Sequence, residues 1–264
     1  MFRVHLDDSG DQQQAGAFAV GGYLGYGDQF DHAQRNWDET LAAFNKRHHC
    51  NIRYFHTTDL VNGYADFAGL DESVRVSLLE NLMALIRCRV IEGVGSSMRM
   101  EHYLQVFGSP RDKSRLFPAP LSICFIGAYL LSKGWALKHK TQDQPMAYII
   151  ERGSLYRGEL IDGFNLSAED PRSGGRYPFD SISQAPKEVV GLQMADLFAW
   201  GLGAERKALF RAGRLSEVFR RPLDHFFMTF RHDHYPWDIE KLQESKDGTL
   251  ELVQAAVEAD LAGC

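Results

Sequence analysis

With 264 residues and 44% hydrophobic content, the chain can bury a large core, and its length fits one elaborated domain as well as two small ones; a single domain over 1–264 is the expectation. Its 29 basic and 35 acidic side chains leave a formal charge of −6, which argues against a broadly cationic nucleic-acid coat but leaves room for a local basic groove. No apolar run approaches the roughly 20 residues of a membrane span, and two carboxylates directly follow Phe2–Leu6, unlike a secretory leader, so a cytoplasmic protein with no membrane partner is expected.

From Phe2 to Leu6 apolar and polar residues alternate, and a second β-prone run, Ala17 to Tyr26, follows the polar connection Asp11 to Gly16, which predicts an antiparallel hairpin. Trp37, Leu41 and Phe44 recur at helical spacing between Asp31 and Arg47, and Asn51 to His56 reads as an extended piece entering Thr57-Thr58-Asp59-Leu60. After Asp71, a credible N-cap, Val74, Leu78, Leu79, Leu82, Leu85 and Ile86 keep a 3.6-type repeat. Arg89 to Met98 turns strand-like, Pro110 to Pro120 is a proline-punctuated loop, and Leu121 to Leu137 is an almost wholly apolar helix that must be buried on most sides.

Met146 to Glu151 is the clearest later strand. A charged helix from about Tyr156 to Phe164, a loop over Asp170 to Gly175 and a short strand from Tyr177 to Asp180 precede the helix that carries Gln193 and Asp196. Basic and aromatic helical segments follow, and Leu250, Leu252, Val253, Ala256, Val257 and Leu261 give a final amphipathic helix. Two early strands, a third, and then strand and helix in alternation predict an α/β protein: a mixed sheet with helices on both faces, a helical insertion at about 28–88 between strands 2 and 3, and a C-terminal helical extension at about 210–264.

Four carboxylates fall where such a sheet gathers them: Asp7 and Asp8 ending the first strand, Glu151 ending the Met146 strand, and Asp196 on the late helix. Glu151 also reads as half of a strand-end ion pair, with Arg152 as partner. Asp196 lies among Leu192, Met194, Ala195, Leu197, Phe198 and Trp200, so burial demands a cation, a proton or donors; backbone amides or an arginine are the bland alternative. Gln193, at i−3, shares its face and reaches either the same ligand or a hydrogen-bonded loop.

Clustered carboxylates repel unless hard divalent cations sit between them, so Asp7, Asp8, Glu151 and Asp196 are candidate ligands for Mg²⁺ or Mn²⁺. A pair of such ions about 4 Å apart can activate water and stabilise a leaving oxygen. Strand alternation sends Asp7 and Asp8 to opposite faces, which favours Asp7 as the ligand. His56, at a strand end before a polar turn, suits a proton shuttle or a phosphate contact as well as a helix cap. Asp180 would add an auxiliary carboxylate, or merely open a turn.

Other signals are weaker. His232-Asp233-His234 has metal-compatible spacing but lacks a third ligand and reads as an exposed polar turn. The basic stretch Arg206, Lys207, Arg211, Arg214, Arg220 and Arg221 reads first as a solvated helix face. Cys50, Cys88, Cys124 and Cys264 are widely separated and read as free thiols. Neither a nucleotide-binding glycine loop nor a GxSxG elbow occurs.

Leu6-Asp7-Asp8-Ser9-Gly10, the strand Phe18-Ala19-Val20-Gly21-Gly22, Phe55-His56-Thr57-Thr58-Asp59-Leu60 and Gly191-Leu192-Gln193-Met194-Ala195-Asp196-Leu197 together resemble the DUF3800 family, over residues 3 to 202. That family carries an N-terminal Asp-Glu-Ser-Gly motif and a C-terminal Gln-x-x-Asp motif, and its fold is regarded as ribonuclease H-like. The resemblance implies Asp7 for the first aspartate, Asp8 where glutamate is usual, and Gln193 and Asp196 for the late pair. By analogy of fold, supported by the carboxylates, it implies a divalent-metal-dependent nuclease or related phosphodiesterase acting on nucleic acid, DNA or RNA; joined to the residues read above, the expected catalytic groups are Asp7, Glu151, Asp196 and His56, with Gln193 and Asp180 as auxiliaries. A non-catalytic nucleic-acid- or protein-binding module on the same fold and a small-molecule phosphoesterase are the alternatives, and homo-oligomerisation stays open.

Overall fold

The computed structural model describes residues 1–10, 16–109, 118–153, 157–169, 180–206 and 215–248. The hairpin forms as its alternation predicts: β1 (Phe2–Ser9) pairs antiparallel with β2 (Ala17–Tyr26) in the register Leu6↔Gly22 and Asp8↔Val20. The insertion between strands 2 and 3 is helical, with α1 (Gly27–His48), α2 (Thr57–Asn62), a 3₁₀ turn (Ala65–Phe67) and α3 (Glu72–Arg89). Asp71 takes the N-cap position of α3 with extended backbone, although its side chain makes no capping hydrogen bond.

Next come β3 (Glu92–Arg99), α4 (Met100–Phe107), α5 (Pro120–Lys138), β4 (Met146–Glu151), α6 (Arg157–Glu169), β5 (Ser181–Ala185), α7 (Val190–Arg206), α8 (Glu217–Thr229) and β6 (His232–Trp237), with residues 239–248 helical. Among the described residues the strands make one six-stranded sheet in the order β5-β4-β1-β2-β3-β6. β2 alone runs against the rest: β1, β4 and β5 are parallel, and β3 is parallel to β6. The C-terminal ends of β1, β4 and β5 therefore lie together at one end of the sheet.

Each face of this mixed α/β sheet carries its own core. On one, Ala19 and Tyr23 of β2 meet Trp37, Leu79, Phe198 and Phe226 from α1, α3, α7 and α8. On the other, Phe2, Val4 and Leu6 of β1 and Met146, Tyr148 and Ile150 of β4 meet α4, α5 and α6 through Tyr103, Phe125 and Leu160. Burying these apolar side chains, at about 25 cal/mol per Å² of area removed from water, is the main term that holds the layers together.

α7 lies unusually close to the sheet because the strands beneath it carry glycine. A Cβ at Gly21 would stand 2.9 Å from the Phe198 ring, one at Gly95 would stand 2.4 Å from Leu202, and one at Gly93 would stand 2.9 Å from Phe198. Gly21 and Gly95 face each other in the β2–β3 register, so the gap is a continuous trough. Gly21-Gly22 thus serves close helix–sheet packing.

α5 is, by length and composition, apolar enough to cross a membrane, which corrects the expectation that no apolar run approaches that length. Two thirds of its most apolar window is buried inside the protein, where Ser132 also hydrogen-bonds the Tyr148 hydroxyl at 2.7 Å, so packing in the core accounts for its composition.

Three strands lie elsewhere than their sequence patterns predict. β3 starts at Glu92 because α3 runs on to Arg89. The strand expected at Tyr177–Asp180 is found at Ser181–Ala185, paired Ala147↔Ser181 through Glu151↔Ala185; residues 177–179 lie outside the described residues. As a half-exposed edge strand rich in Ser and Gln, β5 lacks the apolar alternation that would have located it. His232-Asp233-His234, read as an exposed turn, opens β6, an edge strand that tolerates Pro236. The C-terminal extension therefore adds a strand as well as helices. The proposed amphipathic helix at Leu250–Leu261, Cys264, and Lys207, Arg211 and Arg214 of the basic stretch lie outside the described residues. Within that stretch Arg220 pairs with Glu217 on α8, and Cys50, Cys88 and Cys124 are free thiols.

Candidate active site

Strand parity decides which side chains meet. Along β1, Val4 and Leu6 point to the α5–α6 face, and Asp8 follows them; His5 and Asp7 point to the α7 face. Along β4, Tyr148 and Ile150 point to the α5–α6 face, so Glu151 turns to the α7 face beside Asp7. The close seat of α7 brings Asp196 down onto the same corner. Asp7, Asp8, Glu151 and Asp196 line one cavity of about 330 Å³ with His56, Arg152, Gly153, Arg157 and Lys187. Asp7 and Asp8 thus reach the cavity from opposite faces of the sheet, Asp7 with Glu151 and Asp196, Asp8 with α6.

The partners of each carboxylate differ. Asp7 is 10% exposed, accepts the Asp8 amide at 2.9 Å, and has the Arg157 guanidinium 3.8 Å away. Asp8 is held by Arg157 at 2.5 Å. Glu151 pairs with Lys187 at 3.3 Å; the Arg152 ion pair proposed from sequence is replaced by this one, while the Arg152 backbone amide donates to the Ala185 carbonyl at 2.8 Å. Asp196 accepts the Thr57 amide at 2.6 Å and lies 3.6 Å from His56 Nε2. His56 Nδ1 is 3.0 Å from Asp59, so the ring bridges two carboxylates. His56 also occupies the N-cap position of α2, but its side chain makes no cap hydrogen bond.

Gln193 borders a small pocket beside Asp7, Glu151 and Asp196, and its side chain positions this wall. Its Oε1 accepts both the Trp37 indole N–H at 3.1 Å and the Phe55 amide at 2.7 Å, and its Nε2 donates to the Glu188 carbonyl at 3.1 Å. One buried amide therefore fastens α1 and the Phe55–Thr57 segment to α7, which sets the Thr57 amide and the His56 ring against Asp196.

Electrostatics single out Asp7. Burial, and then the negative charges of Asp196, Asp8 and Glu151, push its carboxyl well above the usual range, with the Asp8 amide acting in the other direction. Asp196 is also raised, mainly by burial, with His56 and the Thr57 hydrogen bonds opposing. For Lys187 burial favours the neutral amine, but Glu151, Asp7 and Asp196 outweigh it and hold the ammonium charged.

The donor chemistry fits a hard divalent cation: four carboxylates on strand and helix positions, with His56 at the same cavity wall. Among the described residues no group of three or more His, Cys, Asp or Glu side chains is placed to hold a metal ion, and Arg157, Lys187 and His56 lie against three of the four carboxylates. Asp7, Glu151 and Asp196 share the face that would hold an ion; Asp8 would join by leaving Arg157.

Asp180 does not belong to this site. β5 runs parallel to β4, so Asp180, just before β5, sits at the opposite end of the sheet, where it accepts from Lys133 Nζ at 2.7 Å and the Met146 amide at 3.0 Å. Its role is to clamp the start of β4 to α5. We expect Asp180→Ala to destabilise the protein by about 3 kcal/mol, the scale of breaking a buried ion pair, and to leave Mn²⁺ binding unchanged. Urea denaturation with parallel metal titration checks both halves.

Arg157 and Lys187 went unnoticed in the sequence. Lys187 lies two residues beyond β5, so misplacing that strand hid the fact that the residue enters at the carboxylate end. Arg157 had one available signal, its position near the start of the helix after Glu151, and a charged helix face gave no reason to single it out. No protein-family model matches this chain, and no curated protein matches it.

Proposed function

We propose that the chain is a divalent-metal-dependent phosphodiesterase of the nuclease type, built on a ribonuclease H-like fold and using Asp7, Glu151 and Asp196 with Mg²⁺ or Mn²⁺. The leading hairpin continued by β3, the parallel strands β4 and β5 added beyond β1, and helices on both faces support that fold. The observation that carries the function is Asp7: a strand-end carboxylate, nearly sealed from water, whose charge is disfavoured by three neighbouring carboxylates. Burying four acids around one cavity is costly unless a cation is part of the working state.

A bound divalent ion would supply Lewis acidity and a lowered pKa for water at that corner. The protein's own groups do the rest. Asp7 and Glu151, fixed by the parallel register of β1 and β4, hold oxygen donors at constant spacing. His56 stands at the cavity wall with Asp59 behind its Nδ1, an arrangement that orients the ring for proton transfer. Lys187 and Arg157 place positive charge where a phosphate oxygen approaches.

A volume of about 330 Å³ lies at the small end of ligand sites, which favours, as a second reading, a phosphoester of small-molecule size over a long polymer contact. The deciding experiment pairs Mn²⁺ titration with cleavage assays on single-stranded and duplex DNA and RNA and on a generic bis-aryl phosphodiester. Asp196→Asn is expected to lose metal binding and at least about 10²-fold in turnover. Full metal binding by that variant would falsify the reading, and activity on the small diester alone would select the second one.

A further inference from the structure

The water-activating reading leaves Arg157 with more capacity than its neighbours use. This first residue of α6 has a side chain only 4% exposed, and it forms part of the cavity wall. Its Nη2 is committed to Asp8, with Asp7 at the edge of reach. Its Nε and Nη1 are buried and have no hydrogen-bond partner among the described residues. Behind it the wall is apolar, with Leu6, Val20, Phe125 and Leu160. A guanidinium cannot escape such a position by losing its proton, so two desolvated donors are a standing cost that a second acceptor would remove.

The cavity narrows the nature of that acceptor. A site already carrying four carboxylates has no use for a fifth, and Lys187 and Arg152 add cationic charge on the same cavity. A tetrahedral oxyanion presents several strong acceptors to one planar donor group and can at the same time face a cation held by the carboxylates. Phosphate satisfies both demands.

We infer that Arg157 is the residue that recognises the substrate phosphate in this cavity, and that Asp8 holds its place in the free protein. The inference rests on the metal-dependent phosphoester reading above. A phosphate oxygen that draws Arg157 away from Asp8 removes a competing cation from that carboxylate, so phosphate and metal bind with positive coupling, each raising the affinity of the other by the same factor.

The test uses the full chain, with inorganic phosphate titrated calorimetrically in chelator and Mn²⁺ titrated separately. Arg157→Gln is expected to weaken phosphate binding by about tenfold to a hundredfold, the range for losing charged hydrogen bonds, while Mn²⁺ binding without phosphate holds or improves. Asp8→Asn, which leaves Arg157 in place, is expected to tighten phosphate binding in chelator because its competitor is gone; this variant decides the matter if Arg157→Gln does not fold. Unchanged phosphate affinity in a folded Arg157→Gln, or weaker phosphate binding in Asp8→Asn, overturns the inference. Loss of phosphate binding in Arg157→Gln with no Mn²⁺ binding by the parent protein supports Arg157 and refutes the metal reading, so the two failures are distinct. A single-stranded oligonucleotide with and without a terminal phosphate separates the sources: Arg157-dependent binding of both forms assigns the internal diester, and of the phosphorylated form alone the monoester. Arg157-independent binding of both counts against the inference.

Discussion

Asp7→Asn is expected to make the metal-free protein more stable at neutral pH while removing its function. The Asp7 carboxyl is raised in the folded state by burial and by Asp196, Asp8 and Glu151. Between the ordinary carboxylate pKa and that raised value, the folded protein keeps a proton that the unfolded chain has released. Fewer protons bound in the unfolded state give a negative slope of stability with pH. The contribution is fully present below the unfolded pKa of about 4 and is lost as pH rises through the folded one. Asparagine fills the same space without that loss, and each kcal/mol recovered raises Tm by about 2–4 °C in a chain of this size. Asp196 titrates in the same direction, so the double variant gains less than the sum of the single ones.

Mn²⁺ reverses the ranking. An ion that binds only the folded state stabilises the parent protein by mass action, and a variant lacking the central ligand gains little. Calorimetric scans from pH 4 to 8, in chelator and in Mn²⁺, should show the Asp7→Asn curve above the parent without metal and below it with metal, and turnover should fall by at least about 10²- to 10³-fold. A variant that melts lower in chelator and still gains fully from Mn²⁺ would place the cation elsewhere.

The carboxylate corner was legible because three independent patterns converge on it. Period-two alternation in Phe2–Leu6 fixes the parity of Asp7 and Asp8, the apolar run Met146–Ile150 places Glu151 at the end of a strand, and the apolar surroundings of Asp196 mark it as mostly buried, its side chain being 13% exposed. What stayed hidden depends on pairing between distant segments. β5 and β6 are edge strands whose exposed sides carry Ser, Gln, His and Asp, so their sequences hold no alternation to detect. One misplaced strand then displaced two residues at once: Asp180 was moved into the site and Lys187 out of it. Likewise the seat of α7 depends on Gly21, Gly93 and Gly95 lying side by side, a fact about sheet register that no single segment contains.

Gln193, whose place one turn before Asp196 left it to reach either the same ligand or a hydrogen-bonded loop, reaches the loop, and its partners across the fold make it a fastener. Gln193→Ala is expected to cost about 3–5 kcal/mol. The Trp37 indole and Phe55 amide, both buried, would lose their acceptor at about 1–3 kcal/mol each, and the vacated volume adds to this. The loss should not stay local. With Phe55 released, the adjoining His56 and the Thr57 amide no longer have a fixed height above Asp196, so Mn²⁺ affinity and turnover fall as a consequence of the loosened segment. Urea denaturation and amide exchange separate this from a direct contact: a fastener predicts a large stability loss with faster exchange at Phe55 and Thr57, whereas a ligand predicts weaker metal binding at nearly unchanged stability. The three hydrogen bonds already made by this side chain, two accepted and one donated, leave a cation little of Gln193 to bind, and the first outcome is the one the geometry requires.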